Sequence, residues 1–169
     1  MHCMRAVLAL AVGLLVGGTV TADVNVEFNA AFDFNVYSTY AWRDGTPARR
    51  DVAEQRIRRG VDRELVAAGL RRVVEDADLW VVTHALVDRH SLDDLHDRAY
   101  WEFFTGVKSV DAFDLGAGTL VVDLVDARLQ RVVWRGAASE AIRGRMEPNL
   151  KKIDKAIHGM FRRLPRSSR

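Results

Sequence analysis

The chain has 169 residues, 49% of them hydrophobic and 28% charged, with 25 Lys and Arg against 23 Asp and Glu for a formal net charge of +2. That balance excludes a disordered polyelectrolyte and a multipass membrane protein, and it fits one ordinary globular domain. The basic residues are scattered among acids instead of gathered into a block that would track phosphates, so nucleic acid is not an expected partner.

Residues 1–22 carry one basic residue, Arg5, then an apolar run from Ala6 to Val16, Gly17 and Gly18, and the small-residue ending Val20-Thr21-Ala22. This is the layout of a secretory signal peptide, with cleavage expected after Ala22 and Asp23 as the first residue of the mature chain. The apolar run is shorter than the ~20 residues that span a bilayer, so no transmembrane anchor is expected after cleavage. The only cysteine, Cys3, would leave with the leader, and the mature domain would have neither disulfides nor thiolate metal ligands. Lipid attachment needs a cysteine at the cleavage point, where the chain reads Gly18-Thr19-Val20-Thr21-Ala22-Asp23. The expected layout is a leader over 1–22 and one domain over 23–169, periplasmic or secreted.

In the mature chain, Val24, Val26 and Phe28 alternate with Asn25, Glu27 and Asn29, the period-two pattern of a first strand with one wet face. Phe32, Phe34, Tyr37, Tyr40 and Trp42 follow, read as a turn and a short second strand ending at Asp44-Gly45, with rings that fill the core beneath a helix. Asp51 with Glu54 three residues on suggests a capping box, and Ile57, Val61, Leu65 and Ala68 recur at helical spacing until Gly69. The spacing predicts a helix over 51–68 whose Arg- and Glu-rich face is solvated.

Leu79 to Val87 is apolar on both parities, which predicts a central strand covered on both sides. His84 within it reads as a hydrogen-bonded sheet residue. Thr119–Val125 and Val132–Ala138 are two β-rich runs joined by Asp126 to Arg131, an antiparallel hairpin. Its register follows from charge: Leu124 opposite Trp134 sets Asp123 opposite Arg135 on one face, whereas a one-residue slip would set Asp123 against Trp134. Pro148 suits the first turn of a last helix over 148–163, with Leu150, Ile153, Ile157, Met160 and Leu164 as its apolar stripe and Pro165 as its stop. The bias of Lys151, Lys152, Lys155, Arg162, Arg163, Arg166 and Arg169 reads most simply as a solvated helix end, and it also suits contact with an anionic surface.

Residues 88–118 resist assignment. Gly116-Ala117-Gly118 precedes a strand instead of opening a helix, which excludes a phosphate-binding loop, and the common hydrolase and NTPase motifs are absent. If helical, His90 and Asp94 would share one face and Asp93 another with His96 and Asp97, offering imidazole and carboxylate ligands suited to zinc; a solvated loop or capped short helix is the plainer reading. Tyr100, Trp101, Phe103 and Phe104 are the candidate binding residues, either as an exposed recognition patch or as a lid folded over a sheet face.

Four blocks together carry a family resemblance: Phe32-Asp33-Phe34 through Trp42, Ala77 to Val82, Gly118 to Asp126, and Val133-Trp134-Arg135-Gly136-Ala137-Ala138. Their order and spacing resemble the bacterial envelope family named domain of unknown function 4136 (DUF4136). The resemblance implies an exported α+β domain, often a lipoprotein, with no assigned activity and no catalytic residues to carry over. The missing lipid-attachment cysteine departs from that pattern.

The expected fold is a two-layer α+β domain, a mostly antiparallel sheet with both helices packed on one face. The expected function is non-catalytic and without a cofactor, binding an envelope protein, lipid or cell-wall component through the open sheet face or the 88–118 segment. The alternative is a metal-dependent enzyme using His90, Asp94 and His96.

Overall fold

The computed structural model describes residues 23–86, 118–139, 141–142 and 150–165. The elements are β1 (Val24–Phe28), a single 3₁₀ turn (Phe34–Val36), β2 (Thr39–Trp42), α1 (Asp51–Ala67), β3 (Arg71–Arg72), β4 (Leu79–Leu86), β5 (Thr119–Asp126), β6 (Arg131–Ala138) and α2 (Leu150–Phe161). The six strands form one sheet in the order β1-β6-β5-β4-β2-β3. Along β1-β6-β5-β4 each pairing is antiparallel, while β2 runs parallel to both β4 and β3. The fold is α+β.

The hairpin has the register that charge pairing requires: Leu124 faces Trp134 and Asp123 faces Arg135. Val125 then faces Val132, which leaves Val133 as the extra residue of a β-bulge. At the turn, Asp126 Oδ1 accepts from the Leu129 amide at 2.7 Å, and Gln130 takes a positive φ of 52°. Side chains alternate from there. Leu120, Val122 and Leu124 of β5 share a face with Val81 and Ala85 of β4 and with Trp134 and Ala138 of β6.

Both helices pack on that face. Ile57, Val61 and Leu65 of α1 and Ile153, Ile157 and Met160 of α2 are fully buried in one cluster with these strand residues. Removing such side chains from water contributes about 2 kcal/mol each. The helices run side by side in parallel, since Arg56 bonds Asp154, Gly60 lies against Ile157 and Glu64 lies beside His158. Gly60 permits the approach, because a Cβ there would stand 2.8 Å from Ile157 Cδ1. Phe161 packs on Trp134 with ring centroids 4.9 Å apart and planes inclined by 35°.

The helix boundaries refine the expectations. No capping box forms at α1: Arg50 precedes the first turn without a side-chain cap, and Glu54 instead accepts from the Ala48 amide at 3.0 Å. Asp51 is already the first helical residue, so its carboxylate lies one position too late to cap. At the other end Gly69, at φ 84°, closes a Schellman motif in which Leu70 N–H donates to Leu65 O and Gly69 N–H to Val66 O. Pro148 lies outside the described residues.

The second sheet face differs from the expected open surface. Val82, His84, Leu86, Val121, Asp123, Val125, Arg135 and Ala137 alternate with the helix-facing residues and are all buried, although neither described helix lies on that side. A face rich in Val, Leu and Ala on the central strands cannot remain in water at no cost.

Candidate functional site

The chemistry-bearing residues that the fold concentrates lie on this second face, across the three central strands. Asp123 of β5 stands between Val82 of β4 and Arg135 of β6 in the ladder, and His84 is two residues along β4 from Val82. The period of two therefore puts His84, Asp123 and Arg135 on one side.

Asp123 is completely buried and Arg135 nearly so. Arg135 Nε and Nη2 donate to the two carboxylate oxygens of Asp123 at 2.6 Å each, a bidentate fork. With so little water in reach, each charge depends on its protein partners.

His84 is held from the strand-like segment that continues past β2. Arg43 N–H donates to Val81 O, and Thr46 bridges to β4, its carbonyl accepting from Ala85 N–H at 2.8 Å. Gly45 lies so close to β4 that a Cβ there would overlap the Thr83 carbonyl oxygen. This approach brings Thr46 N–H to 3.3 Å and Thr46 Oγ1 to 3.0 Å from His84 Nδ1. A backbone N–H can only donate, so Nδ1 presents its lone pair and the ring proton resides on Nε2. Burial pushes the imidazole below its ordinary range; nearby Asp123 works against the shift and Arg135 adds to it. The ring is thus neutral near pH 7.

Three further carboxylates act as fixed acceptors. Asp62 of α1 receives Tyr40 Oη at 2.8 Å, Trp42 Nε1 at 2.9 Å and Arg72 at 3.2 Å, which ties α1 to β2 and β3. Asp126 accepts from Tyr37 Oη at 3.0 Å. Burial raises both phenols well above their ordinary range, with the carboxylate partner adding to it. Burial alone would raise the Asp78 carboxyl too, but hydrogen bonds from Ser38 N–H, Thr39 N–H and Thr39 Oγ1 outweigh it and hold the group below its usual value.

The sequence-predicted candidates Tyr100, Trp101, Phe103 and Phe104, and the ligand set His90, Asp94 and His96, lie outside the described residues. Among the described residues no three His, Cys, Asp or Glu side chains converge on a metal-sized site, and no helix is long and apolar enough to cross a membrane. His84 is the hydrogen-bonded sheet residue that its apolar surroundings suggested. Its bond to Thr46 was missed by sequence reasoning, since nothing local in Gly45-Thr46 announces a bridge to a strand 38 residues away.

The polar groups of this arrangement are engaged chiefly with one another. The one buried carboxylate of the His84 cluster is closed by a guanidinium, and the imidazole lone pair is engaged by Thr46.

A family model described as a domain of unknown function, DUF4136, matches residues 24–166. Among solved structures the chain is similar to a DUF4136 family protein from Bacteroides thetaiotaomicron VPI-5482, with a TM-score of 0.62 and 13% identity, covering 86% of this chain and 96% of that one. It is also similar to a PDZ domain protein from Parabacteroides distasonis ATCC 8503, with a TM-score of 0.56 and 14% identity, covering 88% of this chain and 37% of that one. A PelC dodecamer from Paraburkholderia phytofirmans aligns at a TM-score of 0.48 and 14% identity, covering 82% of this chain and 94% of that one. At these identities the likeness is one of fold. No curated protein matches the sequence.

Proposed function

The chain belongs to the DUF4136 family, and from that premise we propose that it is an exported envelope domain that works by binding another constituent of the envelope and carries out no chemistry of its own. One observation carries the non-catalytic part. Every buried ionisable side chain among the described residues is already held by a partner: Asp123 by Arg135, His84 by Thr46, Asp126 by Tyr37 and the Leu129 amide. A catalytic acid, base or nucleophile needs a lone pair or proton directed at a substrate, whereas the Asp123 carboxylate oxygens and the His84 Nδ1 lone pair are taken up by these partners. Export rests on the leader-like order of residues 1–22, one basic residue, an apolar run and a small-residue ending.

The test is expression of the full chain in a Gram-negative host, followed by osmotic-shock fractionation and N-terminal sequencing. The reading expects a periplasmic protein beginning at Asp23. A cytosolic protein that retains residues 1–22 overturns export. Stoichiometric metal in the purified protein, lost in a His90→Ala/His96→Ala variant together with a hydrolytic activity, overturns the non-catalytic role.

A further inference from the structure

The outer surface of the helical layer is left unused by the packing, and His158 and Arg63 on it reach only Glu64 of α1. On α2, Lys151, Lys155, His158 and Arg162 recur at four-, three- and four-residue spacing and so form one stripe. All four are exposed. The single acid of α2, Asp154, is turned to the neighbouring helix and neutralised by Arg56. Among the described residues Lys151, Lys155 and Arg162 have no ion-pair partner. Alongside in parallel, α1 exposes Arg59 and Arg63, and its Val52 and Val66 are 42% and 58% exposed.

The place where the chain enters the domain lies at the same helix. Val24, the first residue of β1, packs its side chain against Gly159, and Arg163 Nη1 donates to Val24 O at 2.8 Å. The start of β1 thus lies beside the cationic end of α2.

We propose that this face of the helical layer, centred on Lys151, Lys155 and Arg162, docks on a membrane rich in anionic phospholipid. The proposal rests on the envelope reading above and names the constituent bound. One feature favours lipid over other polyanions: cations interleaved with exposed valines suit the headgroup boundary, where charge and a shallow apolar contact act together. Attraction to the headgroups acts within about a Debye length, ~10 Å at 0.1 M salt, so docking is salt-sensitive.

Flotation of the purified protein with phosphatidylcholine vesicles, with and without about 30% phosphatidylglycerol, tests this. The expected result is binding to the anionic vesicles at low salt, loss of it at about 0.5 M salt, and no binding to neutral vesicles. Lys151→Gln/Lys155→Gln/Arg162→Gln should lower partitioning roughly 100-fold, since each cation near such a surface is worth about fivefold. Arg71→Gln, at the opposite sheet edge, should leave it unchanged. These side chains are exposed, so the variants should keep the wild-type melting temperature; should the triple variant unfold, the salt and lipid dependence of the wild type decides. Equal binding to neutral vesicles, no binding at low salt, capture by isolated cell wall in place of lipid, or an unaffected triple variant each overturns the proposal. Fractionation that finds the protein in the cytosol fails the envelope reading separately, whatever the vesicles show.

Discussion

Replacing Asp123 by Asn removes the carboxylate charge while keeping the side-chain volume, and it takes the bidentate carboxylate from the Arg135 guanidinium where only 6% of that residue reaches solvent. Two charge-assisted bonds of 2.6 Å are lost or weakened at once. Breaking one side of a buried pair costs about 3–5 kcal/mol, because the surviving ion retains its desolvation penalty. For a domain of this size that lowers the melting temperature by roughly 10 °C, and it removes a large share of a stability on the order of 10 kcal/mol. Urea unfolding followed by tryptophan fluorescence measures the change, since Trp134 sits next to Arg135 in β6. The double variant Asp123→Leu/Arg135→Met separates charge from packing: it leaves neither ion stranded and should cost well under the sum of the two single variants. A loss below about 1 kcal/mol for Asp123→Asn, or a double variant that is simply additive, would refute the view that the pair is a closed, mutually dependent unit.

His84 supplies a pH dependence. Its folded imidazole lies below the ordinary range, so the unfolded chain binds a proton first as the pH drops. Stability from this group is therefore complete above about pH 6.5 and declines below it, by at most ~1.4 kcal/mol per pH unit, until the folded ring protonates. His84→Gln should flatten the slope of urea midpoint against pH between 6.5 and 5, and an unchanged slope would assign it elsewhere. Gly45→Ala forces a methyl into the Thr83 carbonyl and must push the 43–46 segment off β4; a loss of about 1–3 kcal/mol, with a shifted His84 ring resonance in NMR, is expected. Asp62→Ala strands the buried Tyr40 hydroxyl and should cost about 1–3 kcal/mol by thermal melting, whereas Arg72→Ala, which removes only an exposed contact to the same carboxylate, should cost far less.

The elements with strong local periodicity were legible before any coordinates. Ile57, Val61 and Leu65, and Ile153, Ile157 and Met160, mark helix stripes by spacing alone, and all are buried. The hairpin register was legible for an electrostatic reason, because only one alignment pairs Asp123 with Arg135 and keeps Trp134 beside Leu124. Gly69 ended the helix where its positive φ is needed. The capping box failed because Asp51 is already the first helical residue and Arg50 the cap position, which only the backbone decides.

Sequence by itself thus determined which stretches are helix or strand, which stripe of each is apolar, and that both helices share one side of the sheet, since these follow from short-range spacing and from where apolar surface must hide. Tertiary structure decided what no local pattern encodes. It set the parallel placement of β2 between β4 and β3, the contact of Thr46 with His84, and the gathering of Tyr40, Trp42 and Arg72 on Asp62. The cover on both sides of β4 was already legible in its two apolar parities, but only the tertiary structure enclosed the hairpin charge pair on the same face. Those partners are 10 to 38 residues apart in the chain, and polar groups at such separation are matched only when packing brings the elements together and denies them water.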